Sequence, residues 1–141
     1  MLESLRGLGY SLPTALADLV DNSIAANSNE VTVHLEWAGP ESWVRIVDDG
    51  DGMDDDALEA GMRLGARNPK AERAASDLGR FGLGLKTASF SQARRLTVAS
   101  RQNGGPVVCL RWDLDLIGQE SGAEWPIFEG PAAGSEQLFE P

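Results

Sequence analysis

The six residues Asp48-Asp49-Gly50-Asp51-Gly52-Met53 constrain this chain more than any other stretch. They follow an apolar run, Trp43 to Val47, that reads as a strand. An acidic residue at a strand end, then two glycines two apart, predicts a tight turn where backbone can come close to a flat ligand. Taken alone the pattern is weak, because Asp/Gly turns between a strand and a helix are common. A calcium loop does not account for it. No starting position reproduces the spacing of oxygen ligands and glycine that such a loop requires.

A length of 141 residues fits one domain with a single core. With 42% apolar and 24% charged residues, the composition is that of a soluble globular protein. No apolar run approaches the roughly 18 residues that span a bilayer, so no membrane association is expected. The start, Met1-Leu2-Glu3-Ser4, lacks the basic-then-apolar pattern of a signal peptide. Cys109 is the only cysteine and cannot form an internal disulfide, which fits a cytoplasmic location. The net charge of −10 argues against direct nucleic-acid binding. The charge is uneven, however. Arg63, Arg67, Lys70, Arg73, Arg80 and Lys86 gather between positions 63 and 86, against only Glu72 and Asp77. An acidic chain that concentrates its cations around one Gly-rich loop is expected to bind an anion there, a solvated mixed-charge loop being the plainer alternative.

Ser11 and Pro13 mark a helix start, and the helix is expected to run to about Asn27. Residues 31–37 alternate apolar and polar and read as a half-buried strand. Gly39-Pro40 breaks it, and Trp43–Val47 completes a hairpin. A second helix is expected over 54–64, with Asp54, Asp55 and Asp56 favouring the dipole of its first turn. Residues 65–82 show no period and read as a long functional loop. A third helix is expected from Leu83 to Gln92, then strands at 96–100 and 107–112 joined by Asn103-Gly104-Gly105-Pro106. From about Gly118 the tail is Gly/Pro-rich, with an edge strand expected near its end. This order predicts an α/β (α+β) two-layer sandwich, a mixed, mostly antiparallel sheet with helices on one face.

On the first helix, Asp18, Asp21, Asn22 and Ala25 share a narrow face, while Leu16, Leu19, Val20 and Ile24 point to the core. Such acids can serve solubility alone. Flanked by apolar residues, a carboxylate and a carboxamide also suit magnesium and the orientation of a water molecule. Gly79, Gly82 and Gly84 precede a helix carrying Lys86 and Thr87. Free amides at a helix N-terminus bind phosphate, and glycine permits close approach. The run nearly spells a P-loop, but Lys86 comes one residue late and no strand precedes it; the Rossmann spacing is absent too. Arg67, Arg80 and Lys86 are the expected phosphate-facing cations.

Three segments occur in order: Asp18-Leu19-Val20-Asp21-Asn22-Ser23-Ile24, the Asp48–Met53 run, and Gly79-Arg80-Phe81-Gly82-Leu83-Gly84-Leu85-Lys86-Thr87-Ala88-Ser89. Together they resemble the nucleotide site of the GHKL ATPases, the superfamily of gyrase, heat-shock chaperone, histidine kinase and MutL. They look most like its bacterial MORC-like branch. The resemblance covers about residues 8 to 117. It implies the Bergerat fold, binding of ATP or ADP with magnesium, and slow ATP hydrolysis coupled to closure of a lid at 65–82. It also implies ATP-dependent homodimerisation or partner binding.

Carried over residue by residue, the resemblance makes Asn22 the metal ligand and Asp21 the acid before it. Asp48 would accept a hydrogen bond from the exocyclic amine of adenine, which an acceptor-only carboxylate favours over guanine's carbonyl. Gly50 and Gly52 would let backbone lie beside the ring, with Met53 packed on it. Gly79, Arg80, Phe81, Gly82, Leu83, Gly84 and Lys86 form the phosphate box, with Arg67 in the lid. Three departures stand out. Asp18 occupies the place of the usual general base, a Glu, and its shorter reach is expected to cost about 100-fold in hydrolysis. Gly134-Ser135 matches the late Gly-Thr motif only loosely, with Ser135 keeping the hydroxyl. The chain stops at Pro141, without the transducer-like domain of gyrase-like relatives. A non-hydrolysing ATP- or ADP-binding regulatory module is the main alternative. A histidine-kinase catalytic domain ranks lower, since the Gly-rich box followed by Lys86-Thr87-Ala88-Ser89 looks MORC-like; the only histidine, His34, falls on an expected strand and reads as a surface or core-edge residue.

Overall fold

The computed structural model describes residues 11–63, 85, 88–117 and 126–139. Helix α1 spans Leu12–Ala25, and helix α2 spans Asp55–Arg63. Strands β1 (Val31–Glu36) and β2 (Trp43–Asp48) form one antiparallel sheet. Strands β3 (Arg95–Ser100), β4 (Val108–Asp113) and β5 (Phe128–Glu129) form a second antiparallel sheet in that spatial order. Residues 88–92 are helical, and a helical turn, Leu114–Ile117, follows β4. The fold is thus mixed α/β with antiparallel sheets, as the sequence predicts. The expected edge strand is β5, paired with β4 through Leu110↔Glu129 and Arg111↔Phe128.

The local chemistry explains the boundaries. Ser11 caps α1, its Oγ accepting from the Thr14 amide at 3.3 Å, and Pro13 lies in the first turn, where no donor is lost. The helix ends where Asn27 turns left-handed at φ 61°. Asp54, expected inside α2, instead caps it. Its Oδ1 accepts from the Ala57 amide at 2.8 Å, leaving Asp55 and Asp56 for the first turn. The β1–β2 connection is a 3-10 turn over Gly39–Glu41, with Gly39 at φ 57°. Asn103 and Gly104, at φ 44° and 73°, close the β3–β4 hairpin with Gly105 N donating to Gln102 O at 2.8 Å.

The core forms where the helices meet the three-stranded sheet. Leu58 and Met62 of α2 pack with Leu85, Phe90, Leu110 and Trp112, joined by half-buried Leu19, Met53, Leu96, Val98, Val108, Leu114 and Ile127. The register pairs Leu96 with Trp112 and Val98 with Leu110, so these side chains share the inward face. Phe90 and Trp112 meet with ring centroids 6.2 Å apart and planes tilted by 50°. At the far end of that sheet, Arg95 Nε meets the buried Asp113 carboxylate at 2.9 Å.

Candidate nucleotide site

The Asp48–Met53 turn is where the two sheets and α1 converge. Asp48 ends β2, and its exposed carboxylate is held by two donors. Ser23 of α1 donates from Oγ to Oδ2 at 2.7 Å, and the Gly50 amide donates to Oδ1 at 3.0 Å. The next carboxylate, Asp49, has a different task. Its Oδ1 accepts from the amides of Asn29 at 2.7 Å and Glu30 at 2.9 Å, fastening the entry of β1. Those amide bonds, chiefly that from Glu30, hold the Asp49 carboxyl below the usual carboxylate range. Asp51 ties the turn back to the end of α1. Its amide donates to Ala26 O at 2.8 Å, and its Oδ2 accepts from Asn27 Nδ2 at 2.7 Å.

Both turn glycines are required by packing against the protein itself. A Cβ on Gly50 would lie 2.7 Å from Ala26 O. Gly52 sits at φ 71°, and a Cβ there would collide with the Arg101 carbonyl at the end of β3. The following amide, Met53 N, donates to Ser100 Oγ at 2.8 Å, and the Met53 side chain packs on the core. The turn is therefore stitched to α1 on one side and to β3 on the other. The sequence reading gives these glycines a ligand to approach; the close neighbours here are Ala26 and Arg101 backbone atoms.

On α1, Asp18 and Asn22 are half-buried and Asp21 is exposed. Asn22 Nδ2 is buried without a hydrogen-bond partner among the described residues. An amide donor in that condition is costly unless something accepts from it. One residue departs from the expected helix faces. Ile24, assigned to the core side, is 61% exposed, whereas Ser23 is 4% exposed. The buried line of α1 runs Ala15, Leu19, Ser23, because at this end the helix meets a polar turn and not an apolar layer. Ser23 is not among the residues that the sequence singles out, yet it bonds the Asp48 carboxylate. Its four-residue spacing from Ala15 and Leu19 was the available signal.

Ser135 lies in a C-terminal turn, where its Oγ donates to Ala132 O at 2.7 Å, and Gly134 takes φ 87°. That segment docks on the hairpin through Arg45 Nη1, which donates to Leu138 O at 3.0 Å. Arg45 and Asp48 are three residues apart on β2, so their side chains leave opposite faces. Among the described residues, then, the Asp48 carboxylate is bonded to Ser23 and Gly50, with Ser135 engaged in its own turn. His34 Nδ1 lies 3.1 Å from Arg45 Nη2. Arg67, Gly79, Arg80, Phe81, Gly82, Leu83, Gly84 and Lys86, and with them the lid at 65–82, lie outside the described residues.

Among the described residues no three His, Cys, Asp or Glu side chains converge as a metal site. No described helix is long and apolar enough to cross a membrane.

The sequence profile of the histidine kinase-, DNA gyrase B- and HSP90-like ATPases matches residues 10–138. The chain is 35% identical over 114 residues to the DNA mismatch repair protein MutL of Koribacter versatilis, covering 77% of this chain and 18% of that protein. It is 29% identical over 92 residues to the ATPase morc-1 of Caenorhabditis elegans, covering 64% of this chain and 10% of that protein. With MutL of Bacillus anthracis it shares 42% identity over 60 residues, which is 42% of this chain and 9% of that protein. The chain thus spans less than a fifth of the length of these relatives. Because the profile match runs across α1, the Asp48 turn and both sheets, the chain belongs to the GHKL superfamily, as a histidine kinase-, DNA gyrase B- and HSP90-like ATPase domain.

Proposed function

We propose that this chain binds ATP with magnesium at the seam between α1 and the Asp48 turn and hydrolyses it slowly. Neighbouring residues of one helix carry the reading. Among the described residues Asn22 keeps a buried amide donor without a partner, while Ser23 fixes the Asp48 carboxylate one residue further on. An unsatisfied donor beside an anchored, exposed acceptor suits a ligand with an anionic end and an amine-bearing end. The residues fit magnesium-ATP. Asn22 would donate to a phosphate oxygen and leave its carbonyl for the ion, and Asp48 would accept from the adenine amine. Magnesium supplies charge neutralisation of the phosphates. Asp18, one helical turn before Asn22, would orient water and take its proton. Asp21, Met53, Gly50 and Gly52 shape the near wall. Arg67, Lys86 and the Gly79–Gly84 loop would meet the phosphates.

In this reading residues 1–141 form one GHKL-type ATP-binding domain. ATP closes the 65–82 segment and creates a surface for a second copy or another partner. The net charge of −10 supports assigning any nucleic-acid contact to another molecule or domain. The unpaired Cys109, its thiol pushed up by burial, suits a cytoplasmic setting.

Titration calorimetry with ATP and magnesium tests the site. The wild-type protein is expected to bind, and Asp48→Ala to lose about tenfold to 100-fold in affinity, the range for a hydrogen bond to a charged group. No binding by the wild-type protein overturns the reading. Single-turnover hydrolysis then compares wild-type protein with Asp18→Asn. Loss of turnover in Asp18→Asn supports hydrolysis through Asp18; no turnover by the wild-type protein would favour the second reading, a module that holds ATP or ADP without turnover, which the short reach of Asp18 supports.

A further inference from the structure

We propose that Ser23 is a positioning residue that orients the Asp48 carboxylate and so sets the selectivity of the site for a nucleobase with an exocyclic amine. This deepens the nucleotide reading and rests on it. Asp48 is exposed at a strand end, where a side chain with no partner samples several rotamers. Two donors restrict it here, and they differ in kind. The Gly50 amide belongs to the turn itself, two residues away. The Ser23 hydroxyl comes from a separate element and is 4% exposed.

The direction of the Ser23 bond is fixed by chemistry. A carboxylate only accepts, so the hydroxyl proton must point at Asp48 Oδ2. Ser23 is itself held in place. Its carbonyl accepts from Ser28 Oγ at 2.7 Å and from Ser28 N at 3.2 Å. The end of α1 is locked to the turn by the bonds of Asp51 to Ala26 and Asn27. The backbone that carries the donor is therefore fixed relative to the turn. An ionised carboxylate has about four lone-pair sites, and two are occupied, one on each oxygen. The remaining sites are acceptors on an exposed side chain. Such sites receive an amine and repel a carbonyl oxygen, so orientation becomes selectivity.

Calorimetry on the folded domain separates this role from simple helix packing by pairing one mutation with one ligand change. Wild-type protein, Ser23→Ala and Ser23→Thr are each titrated with ATP and with purine riboside triphosphate, which lacks only the 6-amino group. Ser23→Ala is expected to weaken ATP about tenfold, the scale of one charge-assisted hydrogen bond, and to leave purine riboside triphosphate within about twofold. Ser23→Thr, which keeps the hydroxyl, is expected to restore ATP affinity. Equal losses on both nucleotides, or no loss on either, overturn the positioning role while the nucleotide site stands. Failure of the wild-type protein to bind ATP removes the site and this inference together.

Discussion

The β3–β4–β5 sheet packs on a buried cluster, with Trp112 and its neighbour Phe90 at 1% and 0% exposure and Leu96 and Val98 half-buried beside them. In the β1–β2 hairpin no residue is buried, and Val33, Leu35, Val44 and Val47 are each more than a third exposed. A two-stranded hairpin is marginal by itself in water. Here it is placed by point contacts: Ser23 and Asp51 to α1, Asp49 to the entry of β1, Arg45 to the C-terminal turn, Gly52 to Arg101. One half of the molecule is held by apolar area, the other by directional bonds and close backbone approach. The candidate site lies at the seam, so its geometry depends on a few polar atoms more than on the core.

That contrast is easiest to break in the core. Trp112→Ala should cost about 3–5 kcal/mol in urea unfolding, whereas Leu35→Ala on the hairpin should cost under about 1 kcal/mol. Comparable losses would mean that the hairpin is packed as tightly as the sheet. At the seam, Gly52→Ala should cost more than Gly104→Ala. Both glycines have φ near +70°, at 71° and 73°, but only Gly52 has backbone where a Cβ would go. The left-handed penalty alone is about 1–2 kcal/mol for either. The excess at Gly52, read from thermal unfolding, measures the collision with Arg101, and an equal cost would show that the turn is not pressed on β3.

The smallest effect is at Asp49. Its carboxyl is held below its usual value of 3.8, so its contribution is complete above that pH and is lost as pH falls through the lowered value. The stability gap between wild-type protein and Asp49→Asn should therefore shrink on acidification below about pH 4. A gap that stays constant across that range would mean that the amide bonds from Asn29 and Glu30 do not depend on the charge.

Much of this was legible in the residues. Strand alternation located β1, an apolar run after Gly39-Pro40 located β2, the Asn103-Gly104 pair located the β3–β4 turn, and Ser11 located the start of α1, because each signal acts over a few neighbouring residues. Three motifs in order were enough to indicate the family, and the profile match across residues 10–138 agrees. The places where local reasoning went astray involve partners distant in sequence. Ile24 reads as core by periodicity and is exposed, while Ser23, to which periodicity assigns no face, is buried against a carboxylate 25 positions later. Gly52 carries a constraint that no neighbouring residue announces, since a Cβ there would meet the backbone of Arg101. The sequence by itself determined the elements, the nucleotide-site motifs and the family, since periodicity, capping and turn chemistry are local. Only the tertiary structure decided which donor holds Asp48, which backbone crowds Gly52 and where, among the described residues, Asn22 leaves a buried donor open, because those depend on which atoms folding brings within hydrogen-bonding or contact distance.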